Sequence, residues 1–242
     1  GFYALFTQNA NNVNNVDWSS AYQEFAMESV AIKPYPICHF NHAPVDAALH
    51  LRAKHGLRSE HIESITIGLH ERQFAVVVEP VARKQRPESE YEAKFSVAYA
   101  VATALVRGQL GLRELELESR TDEAILALTP RIHCVHDDRS NYPQTFSGGV
   151  SIKMRDGTVY EHFDAVNRGA EGRLLSEDDV KTKFVQNCRL VLSETRTEAV
   201  WEAIMDVDKQ DDCSALLEAL KGLGDPISTA DRNNAVSRSA TC

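Results

Sequence analysis

The stretch AIKPYPICHFNHAPVDAALHL, residues 31–51, gathers Lys33, Tyr35, Cys38, His39 and His42 within ten positions. Four readings are open to such a set. It could hold a metal, but Cys-His-x-x-His is not a spacing that zinc sites use, and His133, Cys134 and His136 lie far along the chain. Cys38 could be a nucleophile with a neighbouring histidine as its base. Lys33, His39 and His42 could bind carboxylates as a cluster of cationic donors, on a loop that Pro34 and Pro36 stiffen so that little freedom is lost on binding. Or Lys33 and His42 could be solvated loop residues, with Cys38 a small buried hydrophobe.

A second set stands in EYEAKFSVAYAVA, where Lys94 and Ser96 fall at the start of a mainly apolar helix. Free backbone N–H groups at a helix start favour an anion, and a lysine and a serine would add to that. The competing reading is a solvated Lys94 and a Ser96 that caps the first turn. Glu60, Glu63, Glu71 and the acidic run 114–118 read as solvated faces, and Asp156-Gly157 as turn chemistry.

The elements that must carry these residues follow from periodicity. GFYALF reads as the end of a helix, QNANNVNNV as an Asn-rich loop, and FAMESVAIK as a strand running into Pro34. From Pro44 to about His55 apolar residues recur at helical spacing, with Gly56 as C-cap. HIESITIGLH alternates and is β-branched, so a strand is expected, while ERQFAVVV is ambiguous and VARKQRPESE reads as a polar loop. Residues 91–107 form the clearest helix, and a short one over 122–129 ends at Pro130. RIHCVHDD is a strand. Two alternating runs flank Asp156-Gly157 as a hairpin, and NRGAEGRLL is a loop. Ser176 with Asp179 forms a capping box for a helix whose face carries Val180, Phe184, Cys188, Val191 and Leu192. Thr195-x-x-Glu198 caps another, with Val200, Ala203, Ile204 and Val207 inward. A short helix near 213–221 ends at Gly222, before a polar tail. This order gives an α+β domain of about 130 residues followed by helices whose apolar faces need a partner.

The bulk numbers narrow the class. With 242 residues, 43% of them hydrophobic and 25% charged, the chain reads as an ordinary globular protein. A net charge of −9 and scattered basic residues argue against a nucleic-acid partner. No run of 18 apolar residues implies a membrane span. Five cysteines without a CxxC spacing fit a reducing, cytoplasmic setting. The absence of an initiator Met and the start inside an apolar helix read as the middle of a longer protein.

KPYPICHFNHAPVDAALHL, EYEAKFSVAYAVATALVRG, VSIKMRDG and RGAEGRLLSEDDVKTKF, in that order, resemble the MmgE/PrpD family. That family includes 2-methylcitrate dehydratase, cis-aconitate decarboxylase and iminodisuccinate epimerase. The resemblance covers about residues 25–195, and the first motif and the AKFS-x-x-Y helix are specific only together.

The resemblance implies a fold of a large helical domain carrying a smaller α+β lid. Residues 1–27 would be the end of the helical domain, 28–166 the lid, and 167–242 helices returning to the helical domain. It implies a homodimer formed through the helical part that this chain lacks, an active site between the domains, and no metal, cluster or other cofactor. Lys33, Tyr35 and Pro36 match the family's Lys-x-[Tyr/Phe]-Pro loop, and His42 matches a histidine common in it. A decarboxylase member has a catalytic histidine where this chain has Cys38. The implied substrate is a small di- or tricarboxylate, and the implied chemistry removes a proton next to a carboxylate. Lys33 would stabilise the substrate carboxylate, and His42 or His39 would be the acid/base or a donor. Tyr35, Cys38, Lys94 and Ser96 would shape and hydrogen-bond the pocket. The expected activity is a 2-methylcitrate dehydratase-like lyase. The alternatives are an epimerase of an imino- or amino-dicarboxylate and a catalytically silent binding fragment.

Overall fold

Alternation along Ile62–Leu69 (β1) puts Ile65, Ile67 and Leu69 on one side, fully buried, while Ser64 and Thr66 face the other. In the computed structural model this strand is the centre of a four-stranded sheet of order β2-β1-β3-β4. The model describes residues 2–9, 11, 19, 27 and 30–221. The chain divides into two units, 1–31 and 32–242. In the first, Phe2–Thr7 is helical (α1).

In the second unit, helix α2 (His42–His55) ends at Gly56, whose φ of 62° is a left-handed C-cap that a side chain would strain. It starts two residues before the expected Pro44. A proline in the first turn has no intrahelical N–H to lose, so the helix accepts it. β1 follows. Phe74–Val77 (α3) and Val81–Gln85 (α4) are short helices, the second inside a stretch expected to be loop.

The single helix expected over 91–107 is two: Glu90–Lys94 (α5) and Val97–Arg107 (α6). Ser96 breaks it. Its backbone is extended and its side chain accepts the Tyr99 N–H, an N-cap that competes with helix continuation. Leu117–Arg120 (α7) and Glu123–Leu128 (α8) lead into Ile132–His136 (β2), which pairs parallel with β1. Gly148–Met154 (β3) and Val159–Asp164 (β4) form the expected hairpin, and β3 is antiparallel to β1.

α2 packs across β3 and β4 and against α6. Val45, Ala48 and Leu51 of α2 and Val97, Val101 and Leu105 of α6 close over the isoleucines of β1 and β3. Each large aliphatic side chain buried this way contributes roughly 1.5–3 kcal/mol relative to exposure. The architecture is α+β, as expected.

Glu177–Cys188 (α9), Glu194–Met205 (α10) and Ser214–Leu220 (α11) complete the described chain. Ser176 and Asp179 make the expected capping box. The cap of α10 is Ser193, two residues before the expected Thr195. Val200 is buried, but Ile204 and Val207 of its expected inner face are 37% and 38% exposed. Glu114, expected on a solvated face, is buried, and its carboxylate accepts from Gly111 N and Gln109 Nε2. Residues 30–33 of the expected strand FAMESVAIK are not strand. Most of the rest of that stretch, most of the Asn-rich segment, Gly222 and the tail lie outside the described residues. Among those described, no helix is long and apolar enough to cross a membrane.

Candidate active site

The chain bends over Pro34–Ile37, and a tight turn over His39–Asn41 feeds directly into α2. The turn is anchored from α5. The Lys94 carbonyl accepts from Cys38 N at 2.8 Å and from Asn41 Nδ2 at 3.3 Å. This delivers His39 and His42 onto adjacent surfaces, with ring centroids 4.8 Å apart.

The two histidines differ in what surrounds them. His42 is fully buried. Its Nε2 lies 3.3 Å from the Ile37 carbonyl, which only accepts, so Nε2 carries the proton. Its Nδ1 lone pair is enclosed and has no partner. Burial, reinforced by His39, pushes its pKa down to about 3. His39 is only half-buried, between His42 and Phe146, whose ring centroid is 5.0 Å away. Burial first and the Lys33 charge second pull its pKa down, so it too is held neutral. Its Nε2 stands 2.7 Å from the amide nitrogen of the buried Asn167.

Tyr35 turns inward. Its hydroxyl donates to Asp46 at 2.5 Å and accepts from Arg168 at 3.2 Å, and its ring packs edge-on to His42 at 5.4 Å. Asp46 sits one helical turn after His42, on the same face of α2. Burial raises its pKa, against the Tyr35 hydrogen bond and the Arg168 charge, which lower it. Arg168 also reaches Asp179 of α9 at 3.3 Å. The loop is held from a second side as well. Lys183 of α9 donates to the Lys33 carbonyl at 2.6 Å, and Ile32 N donates to Gly169 O at 2.9 Å. Gly169 has a φ of 88°, and a Cβ there would meet the Ile32 oxygen at 2.0 Å, so only glycine allows this approach.

The Lys33 side chain is exposed, and its amine makes one long contact of 3.4 Å to the Ile37 carbonyl. Cys38 is half-buried, and burial pushes its thiol up, away from the thiolate that a nucleophile needs. Lys94 and Ser96 belong elsewhere. The Lys94 amine pairs with Glu90 at 2.7 Å, and only its backbone carbonyl touches the His39 turn. Ser96 is fully buried, giving its hydroxyl proton to the Lys84 carbonyl and capping α6. Among the described residues, no three His, Cys, Asp or Glu side chains converge as metal ligands. Two clefts, of about 200 and 260 Å³, lie away from the loop: one beside α4, α6 and β2, the other on the outer sheet face. Neither is lined by Lys33, which is exposed, or by His39, which is half-buried.

Asp46, Asn167 and Arg168 escaped the sequence reading. Asp46 left one signal, a carboxylate at i+4 from His42 within an apolar helix face. Asn167 and Arg168 lie in a stretch read as plain loop, more than 120 residues from the turn they support.

Residues 35–209 match the MmgE/PrpD C-terminal domain. The chain is 25% identical over 203 residues to the cis-aconitate decarboxylase of Mus musculus, covering 81% of this chain and 40% of that protein. It is 23% identical over 206 residues to the cis-aconitate decarboxylase of Homo sapiens, covering 82% of this chain and 41% of that one. The cis-aconitate decarboxylase-like protein oryM of Aspergillus oryzae is 25% identical over 162 residues, 66% of this chain and 33% of its own length. The chain thus spans well under half the length of these relatives. With a family domain matched over most of its residues, and the motif loop and its helix assembled in space, this chain belongs to the MmgE/PrpD family.

Proposed function

We propose that this chain supplies the C-terminal part of a lyase that acts on a small di- or tricarboxylate by chemistry at a carbon next to a carboxylate. The observation that carries this reading is the pairing of an exposed Lys33 amine with a neutral, half-exposed His39 on one braced loop. A lysine charge there stabilises a carboxylate and the enediolate that grows from it when the α-proton leaves. A neutral imidazole beside it donates a hydrogen bond to that oxygen or moves a proton. Relatives named cis-aconitate decarboxylase support the class of reaction and substrate.

Within this reading His39 carries the acid/base role. His42, whose lone pair is enclosed, supports the His39 ring. Tyr35 braces the loop through Asp46. Cys38 stands where a decarboxylase member of the family has a catalytic histidine, and a half-buried thiol does not replace an imidazole in proton transfer. This favours a dehydratase of the 2-methylcitrate type over a decarboxylase, with an epimerase as the competing outcome. Residues 28–166 would act as a lid, and the open surface around Lys33 would be closed by the part of the protein to which 167–242 lead.

Proton NMR in D₂O tests this on the longest native chain, incubated with methylcitrate, cis-aconitate and dicarboxylate analogues. Loss of α-proton signals with new vinyl signals is expected. Exchange without elimination would assign an epimerase. No change with folded protein would overturn the reading.

A further inference from the structure

We infer that Asn167 is a positioning residue that fixes His39 as the neutral tautomer with its proton on Nδ1. The two side chains meet across 128 positions of sequence at 2.7 Å, from Asn167 Nδ2 to His39 Nε2. An amide nitrogen only donates, so Nε2 accepts and Nδ1 holds the proton. Asn167 is buried, whereas His39 is half-exposed, so the imidazole is gripped at its inner nitrogen and keeps Nδ1–H as its remaining donor.

The grip is built from more than one bond. The Asn167 carbonyl accepts the Ala170 N–H at the head of a tight turn closed by Gly169 N donating to Arg173 O at 2.7 Å. Arg168, the next residue, is fixed by Tyr35, Asp46 and Asp179. On its other sides the His39 ring meets His42 and Phe146, neither of which hydrogen-bonds to it, and the charged group acting on it is Lys33. A histidine's partner at one nitrogen decides what its other nitrogen can do. An amide in this place does what a carboxylate would not: it sets the tautomer without stabilising the imidazolium. That leaves Nδ1–H as a neutral donor on a ring that also feels the Lys33 charge. The use of that donor rests on the proposed carboxylate chemistry, but the tautomer does not.

Nitrogen-15 NMR of the imidazoles in the unliganded chain tests this, with His39→Gln assigning the signal among the nine histidines. Wild type should show protonated Nδ1 and unprotonated Nε2 at neutral pH. In Asn167→Asp, a carboxylate of the same shape, His39 should switch to Nε2–H and its pKa should rise by about 1 to 3 pH units. In Asn167→Ala the two tautomers should mix. An Nε2–H signal in wild type, or a His39 tautomer unchanged in Asn167→Ala, would overturn the proposal. The wild-type spectrum decides it even if a variant fails to fold. Because no substrate is added, failure here is separate from failure of the lyase reading, which only the turnover experiment addresses.

Discussion

The His39 turn and the start of α6 use the same vocabulary, a lysine and small polar groups beside a helix N-terminus, and put it to opposite ends. At α6, Ser96 spends its lone pair on Tyr99 N and its proton on the Lys84 carbonyl, while the Lys94 amine closes on Glu90. Its polar side chains are spent on their own neighbourhood. At the His39 turn, the inward groups are consumed by Asn167, Asp46 and Arg168, while the Lys33 side chain stays exposed and His39 only half-buried. A candidate site is therefore recognised less by which polar residues gather than by which remain available once the fold has satisfied the rest.

The sharpest separation of the two regions is in turnover. In a native chain that turns over a polycarboxylate, Lys33→Ala or His39→Ala should each lower kcat/KM by about 10² or more. Ser96→Ala and Lys94→Ala should leave it within about threefold; steady-state kinetics on the four variants checks this, and a large loss in the second pair would erase the distinction. Next in size is the acid effect of His42, read as the difference between wild type and His42→Asn. The folded state holds its imidazole neutral, so protonation favours the unfolded chain. The stabilisation is complete above the ordinary value of 6.5 and is lost as pH falls from there towards about 3. Between pH 7 and 4.5, urea unfolding of wild type should lose about 2 kcal/mol more than His42→Asn.

Ser96→Ala should cost about 1–2 kcal/mol, since it removes an N-cap and leaves the part-buried Lys84 carbonyl short of a donor. The same urea curves read it at any pH near neutral. The smallest effect belongs to Lys94→Ala, where one surface ion pair is lost. Unfolding should shift by no more than about 0.5 kcal/mol, and less in 0.5 M salt. A larger cost would mean that the Lys94 amine, and not only its carbonyl, supports the His39 turn.

Much of the framework was legible along the chain because its causes are local. Alternation specified β1 and the hairpin around Asp156-Gly157, helical spacing with Gly56 specified α2, and Ser176 with Asp179 specified the start of α9. Even the loop that carries Lys33, His39 and His42 announced itself by composition and by its prolines. The break at Ser96 was written there too, in a residue that caps helices, but the apolar run on both sides masked it. The rest was decided by contacts between distant segments. Whether a histidine is enclosed or half-exposed, whether a lysine side chain is paired, and which nitrogen of His39 bears a proton depend on residues brought from 94, 146, 167 and 168. Burial and hydrogen-bond partners are properties of the packed chain. The sequence set His39 and His42 three residues apart, just ahead of a helix expected from Pro44, and only packing made one of them a buried support and left the other half-buried on the same loop as Lys33.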